Sequence, residues 1–391
     1  MPWKEVKPMD QKILFIADYL RGISTFSALC MDYCISRKTG YKWLTRYKHL
    51  GIDGLQDKPR QPYSCPHQIS YRVRMAIIEM RKAGRITPGP KKIKILLGQE
   101  HPAWEIPSET SIYNILKAAG AIAPQEHRRR VVPAQQPFSP VHEPNDLWSA
   151  DFKGQFKTKD GAWCYPLTVM DHKSRFLLGC RGFDGTKFEQ TQEAFKGLFR
   201  EYGLPWRIRT DNGVPFASTS PGGLSRLAMW WIRLGIVPER IAPGKPQQNG
   251  RHERMHKTLK EATALPPAAT AGLQQQAFDH FRHDYNYNRP HESLGQKPPA
   301  TEYIPSSRPM PNKLHELSYP EHFKTAHVNP NGVIYHQGHR VYVAGLLKRE
   351  VVGLEETADG IWDVYYGPVK LGCFNMSNKQ TRQNDYIKLD V

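Results

Sequence analysis

Residues 146–156 read DLWSADFKGQF, a β-prone run in which Asp151 stands among apolar or neutral neighbours. Two further β-rich segments follow, GAWCYPLTVMD (161–171) and SRFLLGCRGF (174–183), separated by Gly, Asp and Lys turn residues. The next stretch, TKFEQTQEAFKGLFREYG (186–203), has the apolar spacing of an amphipathic helix. This pattern predicts an antiparallel meander of three strands followed by a helix.

The segments beyond this helix continue to alternate between strand and helix. PWRIRTDNG (205–213) is a short strand that ends in a turn, and ASTSPGGLSRLAMWW (217–231) is a loop leading into a helix. IVPERIAPGKPQQNG (236–250) follows as strand and loop, and GRHERMHKTLKEA (250–262) as a helix. The order βββαβαβα is that of an RNase H-like domain.

Three acidic residues have positions that suit catalysis. Asp151 lies within a strand, Asp211 follows the strand RIRT, and Glu253 is near the start of a helix. A carboxylate on a central strand is costly to bury unless it is paired or binds a metal. Carboxylates that converge from two strands and a helix form an oxygen cage suited to two Mg²⁺ ions. Asn212 and Gly213 are expected to shape the loop that presents Asp211, with Gly213 supplying backbone freedom.

Five motifs stand in order along the chain: WSADFKGQF, LTVMDHKSRFLLGCR, RTDNG, PQQNGRHERMHKTLK and YNYNRPHESLGQKPP. At these motifs the chain resembles the DDE transposase and retroviral integrase superfamily, most closely the IS481-type insertion-sequence transposases, over roughly residues 10–305. The resemblance implies that Asp151, Asp211 and Glu253 are a catalytic triad. It also implies two Mg²⁺ ions per active site, with Mn²⁺ as a substitute, and no small-molecule cofactor.

Two other acidic residues compete for these roles. Glu239 is an alternative third carboxylate, but it lies beside Arg240 in the strand-like VPERIAP, and the N-G-x-x-E pattern favours Glu253. Asp171 ends an apolar strand and opens a turn, which favours a turn role. Ser174 is expected to be structural as well.

The helix that carries Glu253 also predicts DNA contacts. His256, Lys257 and Lys260 follow at i+3, i+4 and i+7, so all four residues are expected on one helix face. By spacing alone this is a solvated Glu/Lys face. The resemblance implies instead that the basic side chains hold the donor DNA end.

The N-terminal residues 1–52 predict a helix-turn-helix domain. MDQKILFIADYLRG starts at Met9, STFSALCMDYC follows with a Ser/Thr cap, and SRKTGYKWLTRYKHLG runs from the cap Ser36 to Gly51. Cys34 occupies the turn, where Gly usually supplies a positive φ. The aromatic residues of the last helix are expected to pack inward while its basic residues face a major groove. The expected DNA contacts on it are Arg37, Lys38, Lys42 and Arg46.

A second helix-turn-helix domain is expected at 70–120, between linkers at 53–69 and 121–145. Its helices are SYRVRMAIIEMRKAG, PKKIKILLGQE and SETSIYNILKAAG, the last capped by Ser108. Lys91 and Lys92 are its expected DNA contacts. In the first linker, Lys58 and Arg60 are expected either in a minor groove or in solvent.

The catalytic core is expected to span 146–305, and a small SH3-like β-barrel to follow at 325–391. LQQQAFDHFRHDYNY (273–287) predicts a helix within the core. From about Thr325, five β-prone runs are separated by Asn-Gly, Gly-His and Asp-Gly turns: GVIYHQG, HRVYVAG, REVVGLEET, GIWDVYYG and VKLGCFN. The fold class is therefore multidomain, with helical modules, an α/β core and a β module.

Charge and composition bound the partners. The chain of 391 residues has a net charge of +18, and residues 1–140 hold 23 of the 55 Lys and Arg but only 11 of the 37 Asp and Glu. This imbalance indicates a polyanion, double-stranded DNA, bound with salt-sensitive affinity. Six scattered cysteines with no zinc-ligand spacing, and the lack of a signal-like start or a long apolar run, favour a bacterial cytoplasmic, nucleoid-associated protein without a membrane partner.

These observations predict a transposase that binds the terminal inverted repeats of an insertion sequence and catalyses Mg²⁺-dependent end cleavage and strand transfer into target DNA. At least a homodimer is expected on DNA, because two ends must be cut and joined. A catalytically silent repressor derived from a transposase is the alternative. An RNase H-like nuclease on hybrids is disfavoured, because an A-form groove does not admit a recognition helix.

Overall fold

The computed structural model describes residues 8–57, 68–83, 86–122, 140–152, 154–242, 246–314, 316–376 and 386–390. The chain divides into two compact units, residues 1–68 and 69–391. Within the described ranges, no helix combines the length and the apolar character needed to cross a bilayer.

The first unit contains the three helices that the sequence predicts: α1 (Pro8–Arg21), α2 (Phe26–Asp32) and α3 (Arg37–Leu50). Thr25 and Ser36 cap α2 and α3 by accepting hydrogen bonds from backbone N–H groups three residues on. Cys34 has φ 52°, which confirms the expected left-handed turn. The helices close around one apolar core made of Phe15, Ile16, Leu29, Cys30, Trp43, Leu44 and Leu55.

Two expectations for this unit were wrong. The first linker begins later than predicted, because Gly51–Leu55 forms a 3₁₀ helix whose Leu55 is 1% exposed in the core. Tyr41 does not pack inward with Trp43 and Leu44; it is 56% exposed and stacks on Phe26 with ring centroids 4.2 Å apart. Lys58 and Arg60 lie outside the described residues.

The second unit begins with α4 (Tyr71–Ala83), α5 (Pro90–Glu100) and α6 (Glu109–Ala118), which match the second predicted set of helices. Ser108 caps α6 by accepting a hydrogen bond from Ser111 N at 3.2 Å. The three helices share a core of their own, made of Val73, Ile77, Ile93, Leu97, Ile112 and Leu116.

The central domain has the predicted order of strands and helices. It comprises β1 (Leu147–Phe152), β2 (Phe156–Lys157), β3 (Trp163–Asp171), β4 (Leu177–Phe183), α7 (Phe188–Tyr202), β5 (Arg207–Thr210), α8 (Arg226–Arg233), β6 (Val237–Arg240), α9 (Gly250–Thr263) and α10 (Ala271–His283). Five strands lie in the order β4-β3-β1-β5-β6, and β2 pairs with the start of β3. The pairs β4-β3 and β3-β1 are antiparallel, whereas β1-β5 and β5-β6 are parallel.

Alternation along β1 decides which side chains meet which helices. Trp148 and Ala150 pack in the same core cluster as α7 and α8. Side chains alternate between the two faces of a strand, so Ser149 and Asp151 point to the opposite face. That opposite face packs against α9 and α10, whose Met255 and Phe278 form a second core cluster with β3 and β4.

The C-terminal region is a β module of seven described strands. They are β7 (Lys324–His327), β8 (Val333–His336), β9 (His339–Tyr342), β10 (Val351–Ala358), β11 (Ile361–Tyr366), β12 (Val369–Asn375) and β13 (Ile387–Lys388). They form one sheet in the order β12-β11-β10-β7 and another in the order β13-β9-β8, and the two sheets share one core. The five predicted runs are all strands, and β7 and β13 are additional.

Helix α8 packs against both the central sheet and the β module. Its Leu227 and Trp231 lie in the core beside α7, whereas Ala228 and Ile232 lie in the core of the β module. Gly367, with φ 55°, approaches α8 so closely that a Cβ there would lie 2.5 Å from Ile232 Cγ2. The β module is thus packed onto the central domain.

Candidate active site

The parallel pairing of β1 with β5 aligns the first two predicted carboxylates. Ser149 is paired with Arg209, and extending this register by two residues places Asp151 opposite Asp211. Neighbouring strands lie about 4.8 Å apart, and aligned residues point to the same face. Both residues are half-buried. This extended register therefore predicts that Asp151 and Asp211 lie side by side at the carboxyl ends of β1 and β5, two inner strands of the sheet.

The loop after β5 holds Asp211 by close backbone contacts. Gly213 N donates to Asp211 Oδ1 at 3.1 Å, and Asn212 Nδ2 donates to Ile241 O at 2.9 Å. A Cβ on Gly213 would lie 3.0 Å from Asp211 Oδ2. These contacts agree with the expected role of Asn212 and Gly213 in this loop; Gly213 has no positive φ, and its closeness to the Asp211 carboxylate is what distinguishes it.

Glu253 lies in the first turn of α9 with its side chain exposed. Three residues later on the same helix, His256 Nδ1 lies 3.6 Å from Asp151 Oδ2. Three residues of helix rise about 4.5 Å. Helix α9 therefore carries Glu253 within about one turn of the residue that contacts Asp151. Among the described residues, no cation lies within ion-pair distance of Glu253.

Glu239, the alternative third carboxylate, already has a structural role. It accepts a hydrogen bond from Arg209 Nε at 2.7 Å and lies 3.4 Å from Arg207 Nη1. The Arg209 side chain is 4% exposed and needs a counterion. Glu239 supplies that counterion, whereas Glu253 is exposed and has no ion pair within the part of the chain that the structure describes.

Asp171 has the turn role that the sequence predicts. Its buried carboxylate accepts hydrogen bonds from Asn145 N at 2.8 Å, from Ser174 N at 2.7 Å and from Ser174 Oγ at 2.6 Å. Burial raises the pKa of Asp171, and these hydrogen bonds oppose that rise. Asp171 and Ser174 therefore stabilise the turn between β3 and β4.

Two histidines of α9 form a buried polar cluster that the sequence analysis missed. Thr168 Oγ1 lies 2.6 Å from Nε2 of both His252 and His256, and Ser149 Oγ lies 2.8 Å from His252 Nδ1. Burial lowers the pKa of His252 to about 3, so this ring is neutral. The sequence did hold a signal for this cluster: two histidines at i and i+4 on one helix, and the polar Ser149 and Thr168 on the strands that carry or neighbour Asp151.

The expectation that His256 contacts DNA from the same face as Glu253 was wrong. The His256 side chain is 4% exposed and turns inward toward Asp151 and Thr168. Glu253, Lys257 and Lys260 do share the solvent-facing side of α9. The i+3 position points toward the sheet because α9 lies directly over β1 and β3.

The three predicted carboxylates are the kind of ligand that suits a hard divalent cation. Asp151, Asp211 and Glu253 offer only carboxylate oxygens, the ligands that Mg²⁺ prefers. Among the described residues, the group whose ligand atoms all lie within 4.8 Å of one another is Asp151, His252 and His256; Asp151, Asp211 and Glu253 together do not form such a group. Imidazole nitrogens suit transition metals better than Mg²⁺. Thr168 and Ser149 already contact both nitrogens of His252 and Nε2 of His256, whereas Nδ1 of His256 faces Asp151.

The predicted DNA-contact residues of the helical modules differ in exposure. Arg37, Lys38 and Lys42 are exposed on α3, whereas Arg46 is half-buried with its guanidinium 5.0 Å from the Trp43 ring centroid. All four side chains lie on α3, the helix that is expected to enter the major groove.

Lys91 and Lys92 of α5 lie beside the segment that follows α10. Lys91 Nζ forms an ion pair with Glu292 at 2.8 Å, and this raises the pKa of Lys91. Lys92 is half-buried, and burial followed by the neighbouring Arg289 lowers its pKa to about 8. Within this unit, both lysines thus have contacts other than solvent.

Comparison with known families gives matches along most of the chain. Residues 141–246 and 234–299 each match an integrase core domain. Residues 11–63 match a helix-turn-helix domain, and residues 39–116 match a homeodomain-like domain. These matches bear out the predicted fold classes of the N-terminal modules and the core.

Curated relatives include proteins of two insertion elements. The chain is 27% identical to the IS476 39.2 kDa protein of Xanthomonas euvesicatoria over 72% of this chain and 79% of that protein. It is 26% identical to the IS407 31.7 kDa protein of Burkholderia multivorans over 48% of this chain, and it spans 66% of that protein, just under two thirds. It is also 27% identical to the Gag-Pol polyprotein of baboon endogenous virus, over 44% of this chain and 10% of the polyprotein.

Solved structures that resemble the chain include the HTLV-2 integrase catalytic core domain in complex with magnesium. That match has a TM-score of 0.33 at 17% identity, over 41% of this chain and 98% of the other. A simian T-cell lymphotropic virus intasome matches with a TM-score of 0.35 at 18% identity, over 71% and 93%. From the domain and relative matches, the chain carries helix-turn-helix domains and an integrase core domain, and it is similar to proteins of insertion elements.

Proposed function

We propose that this protein is a DDE transposase that binds the terminal inverted repeats of an insertion sequence, cleaves a phosphodiester bond at each end and directs the freed 3′-OH against target DNA. The observation that supports the proposal is the parallel register of β1 with β5, which, extended by two residues, pairs Asp151 with Asp211, together with the position of Glu253 in the first turn of α9. The match to insertion-element proteins supports it. An IS481-type assignment remains a prediction.

In this proposal the three carboxylates hold the metal. Asp151, Asp211 and Glu253 would hold two Mg²⁺ ions, and Mn²⁺ could replace Mg²⁺. Bound there, the ions would activate the attacking oxygen and stabilise the leaving oxygen. The tight loop of Asn212 and Gly213 restricts the positions open to the Asp211 carboxylate. Such restriction matters because metal sites need well-placed ligands.

The protein side of catalysis also includes DNA positioning. Lys257 and Lys260 are exposed one and two turns beyond Glu253 on the same side of α9. A phosphate backbone entering along this face would be neutralised next to the carboxylates. These lysines hold the donor end in register with the proposed metal site.

Recognition of the ends is assigned to the N-terminal modules. Helix α3 exposes Arg37, Lys38 and Lys42 next to its capped N-terminus. Side chains near the start of a recognition helix contact base edges, while others on the helix contact phosphates. Because two ends are joined in one reaction, we propose that the protein acts as a homodimer or a larger homo-oligomer on DNA.

The test is a joining reaction with purified full-length protein. Duplexes from the DNA that flanks its own gene serve as donors, a plasmid serves as target, and Asp151→Asn is the control. We expect Mg²⁺-dependent joined products from the parent and none from Asp151→Asn, which should still bind DNA. Salt-sensitive binding without cleavage or joining, repeated with Mn²⁺ and pre-nicked ends, would replace this proposal with the repressor alternative. Equal product from Asp151→Asn would refute the triad.

A further inference from the structure

Five side chains form a continuous polar path from the interior of the sheet to the carboxyl end of β1, where Asp151 lies. The path runs from Ser149 Oγ to His252 Nδ1 (2.8 Å), from His252 Nε2 to Thr168 Oγ1 (2.6 Å) and from Thr168 Oγ1 to His256 Nε2 (2.6 Å). It ends where His256 Nδ1 lies 3.6 Å from Asp151 Oδ2. Four of the five side chains are buried, and Asp151 is 19% exposed.

The chemistry of the end group fixes the direction of this path. A carboxylate only accepts hydrogen bonds, so the attractive tautomer of a neutral His256 carries its proton on Nδ1. Nε2 of His256 is then an acceptor, and Thr168 donates its hydroxyl proton to it. Thr168 in turn accepts from Nε2–H of His252, and Ser149 donates to the remaining nitrogen of that ring.

The direction has a consequence for each donor and acceptor. In this arrangement each hydroxyl donates along its shorter contact, 2.6 Å from Thr168 to His256 and 2.8 Å from Ser149 to His252. The same hydroxyls also lie 3.2 Å from Asp151 O and 3.3 Å from Met170 O, which are longer contacts. In the opposite arrangement, a bare Nδ1 of His256 would face the Asp151 carboxylate, and two acceptors would oppose each other. Of the two neutral tautomers of His256, the one with its proton on Nδ1 is therefore the one that suits the Asp151 carboxylate.

We propose that Ser149, His252, Thr168 and His256 form a positioning relay that fixes the orientation of the Asp151 carboxylate. The inference rests on the proposed function, because it assigns Asp151 to the metal site. His256 and Thr168 are positioning residues in this scheme; they act through Asp151 and do not touch the DNA. The 3.6 Å separation exceeds a hydrogen bond, so the last step is a close electrostatic contact between ring N–H and carboxylate.

The expected size of the effect follows from metal sites in general. Groups that orient a metal ligand typically change metal affinity or activity by about 10- to 100-fold when they are removed. Thr168 is the informative position because its hydroxyl connects both rings. Thr168→Val removes that hydroxyl with little change in shape, and Thr168→Ser retains it.

The first measurement needs no relay variant to be active. Histidine ¹⁵N NMR of full-length protein reports which ring nitrogen carries the proton, and His252→Gln and His256→Gln identify the two signals. We expect the Nε2–H tautomer for His252 and the Nδ1–H tautomer for His256. An Nε2–H tautomer for His256 in the parent overturns the relay.

The second measurement compares metal binding and turnover. Mn²⁺ affinity of full-length protein, followed by electron paramagnetic resonance, and the Mg²⁺ concentration for half-maximal joining are measured for parent, Thr168→Val and Thr168→Ser. We expect Thr168→Val to weaken both by about 10-fold or more, and Thr168→Ser to remain close to the parent. Parent-like Mn²⁺ affinity in a folded Thr168→Val overturns the relay, as does tighter binding.

The two proposals fail in different ways. If the parent joins DNA and Thr168→Val has the same Mg²⁺ dependence, the relay is wrong and the transposase stands. If the parent gives no joined product but shows the expected tautomers and the expected loss of Mn²⁺ affinity, the relay stands and the transposase proposal fails.

Discussion

Replacing Glu239 and Glu253 one at a time separates the structural carboxylate from the proposed catalytic one. Glu239→Gln removes the negative charge that pairs with Arg209, whose side chain is 4% exposed, while Glu239 itself is 17% exposed. Removing one partner of a buried ion pair typically costs 3–5 kcal/mol. Because Glu239 keeps some solvent contact and Gln retains an acceptor oxygen, we expect the low end, a loss of about 3 kcal/mol in the free energy of unfolding.

Glu253→Gln is the matched change on α9. Its side chain is exposed, so the free energy of unfolding should change by no more than about 0.5 kcal/mol. The joining rate should instead fall by at least about 100-fold, since a direct metal ligand is expected to matter more than the groups that orient it.

The assay pairs urea unfolding, followed by tryptophan fluorescence, with the joining reaction on the same preparations. Glu239→Gln, assayed well below its unfolding transition, should retain joined product, and Glu253→Gln should lose it. The reasoning is refuted if Glu239→Gln keeps its stability and loses joining, or if Glu253→Gln joins DNA at the parent rate.

Three further changes follow from the described contacts. Lys257→Ala and Lys260→Ala should each reduce the slope of log affinity for donor DNA against log salt by about 0.9, whereas Lys196→Ala, which removes a charge paired with Glu193 on α7, should leave the slope unchanged; an unchanged slope in the first two variants contradicts a phosphate contact. Cys34→Gly should raise the free energy of unfolding by about 0.5–1 kcal/mol. Cys34 has φ 52°, and a left-handed conformation costs a non-glycine residue about 1–2 kcal/mol, but glycine makes the unfolded chain more flexible and so offsets part of this gain. Chemical denaturation checks this, and a loss of stability argues against strain at Cys34. Burial, followed by Lys92 and Arg289, lowers the pKa of His291 to about 3, so the unfolded chain binds the extra proton between about pH 6.5 and 3 and stability should fall as pH falls through that window; His291→Asn should show a shallower decline over that range, and an equally steep decline would assign it to other groups.

The sequence predicted elements wherever a local pattern decided them. Caps and glycines bounded the helices at Thr25, Ser36, Ser108 and Gly51, because helix ends are satisfied by nearby side chains and backbone. The order of strands and helices along the chain in the core was predictable from the lengths and turn residues of its segments. Registers were not predictable from the sequence, yet the register of β1 with β5, extended by two residues, is what pairs Asp151 with Asp211.

The side chains that the sequence misplaced depend on contacts between distant segments. His256 has the helical spacing of an exposed neighbour of Glu253, and only the packing of α9 over Thr168 and Asp151 turns it inward. Leu55 follows a Gly-rich stretch that is typical of a linker, but it fills the core formed by the three preceding helices. Gly213 was expected to supply backbone freedom, and the structure adds that a Cβ at this position would lie only 3.0 Å from Asp211 Oδ2.

Helix α8 lies in the stretch that separates Asp211 from Glu253, and it shares its two sides between two hydrophobic cores. A helix buried on both sides transmits displacement, because packed interiors deform little. A displacement of the β module is therefore expected to move α8, which lies between Asp211 and Glu253 in the chain. Removing the β module would leave Ala228 and Ile232 facing water. We therefore expect the central domain without the β module to be soluble only if this side of α8 is also redesigned with polar residues.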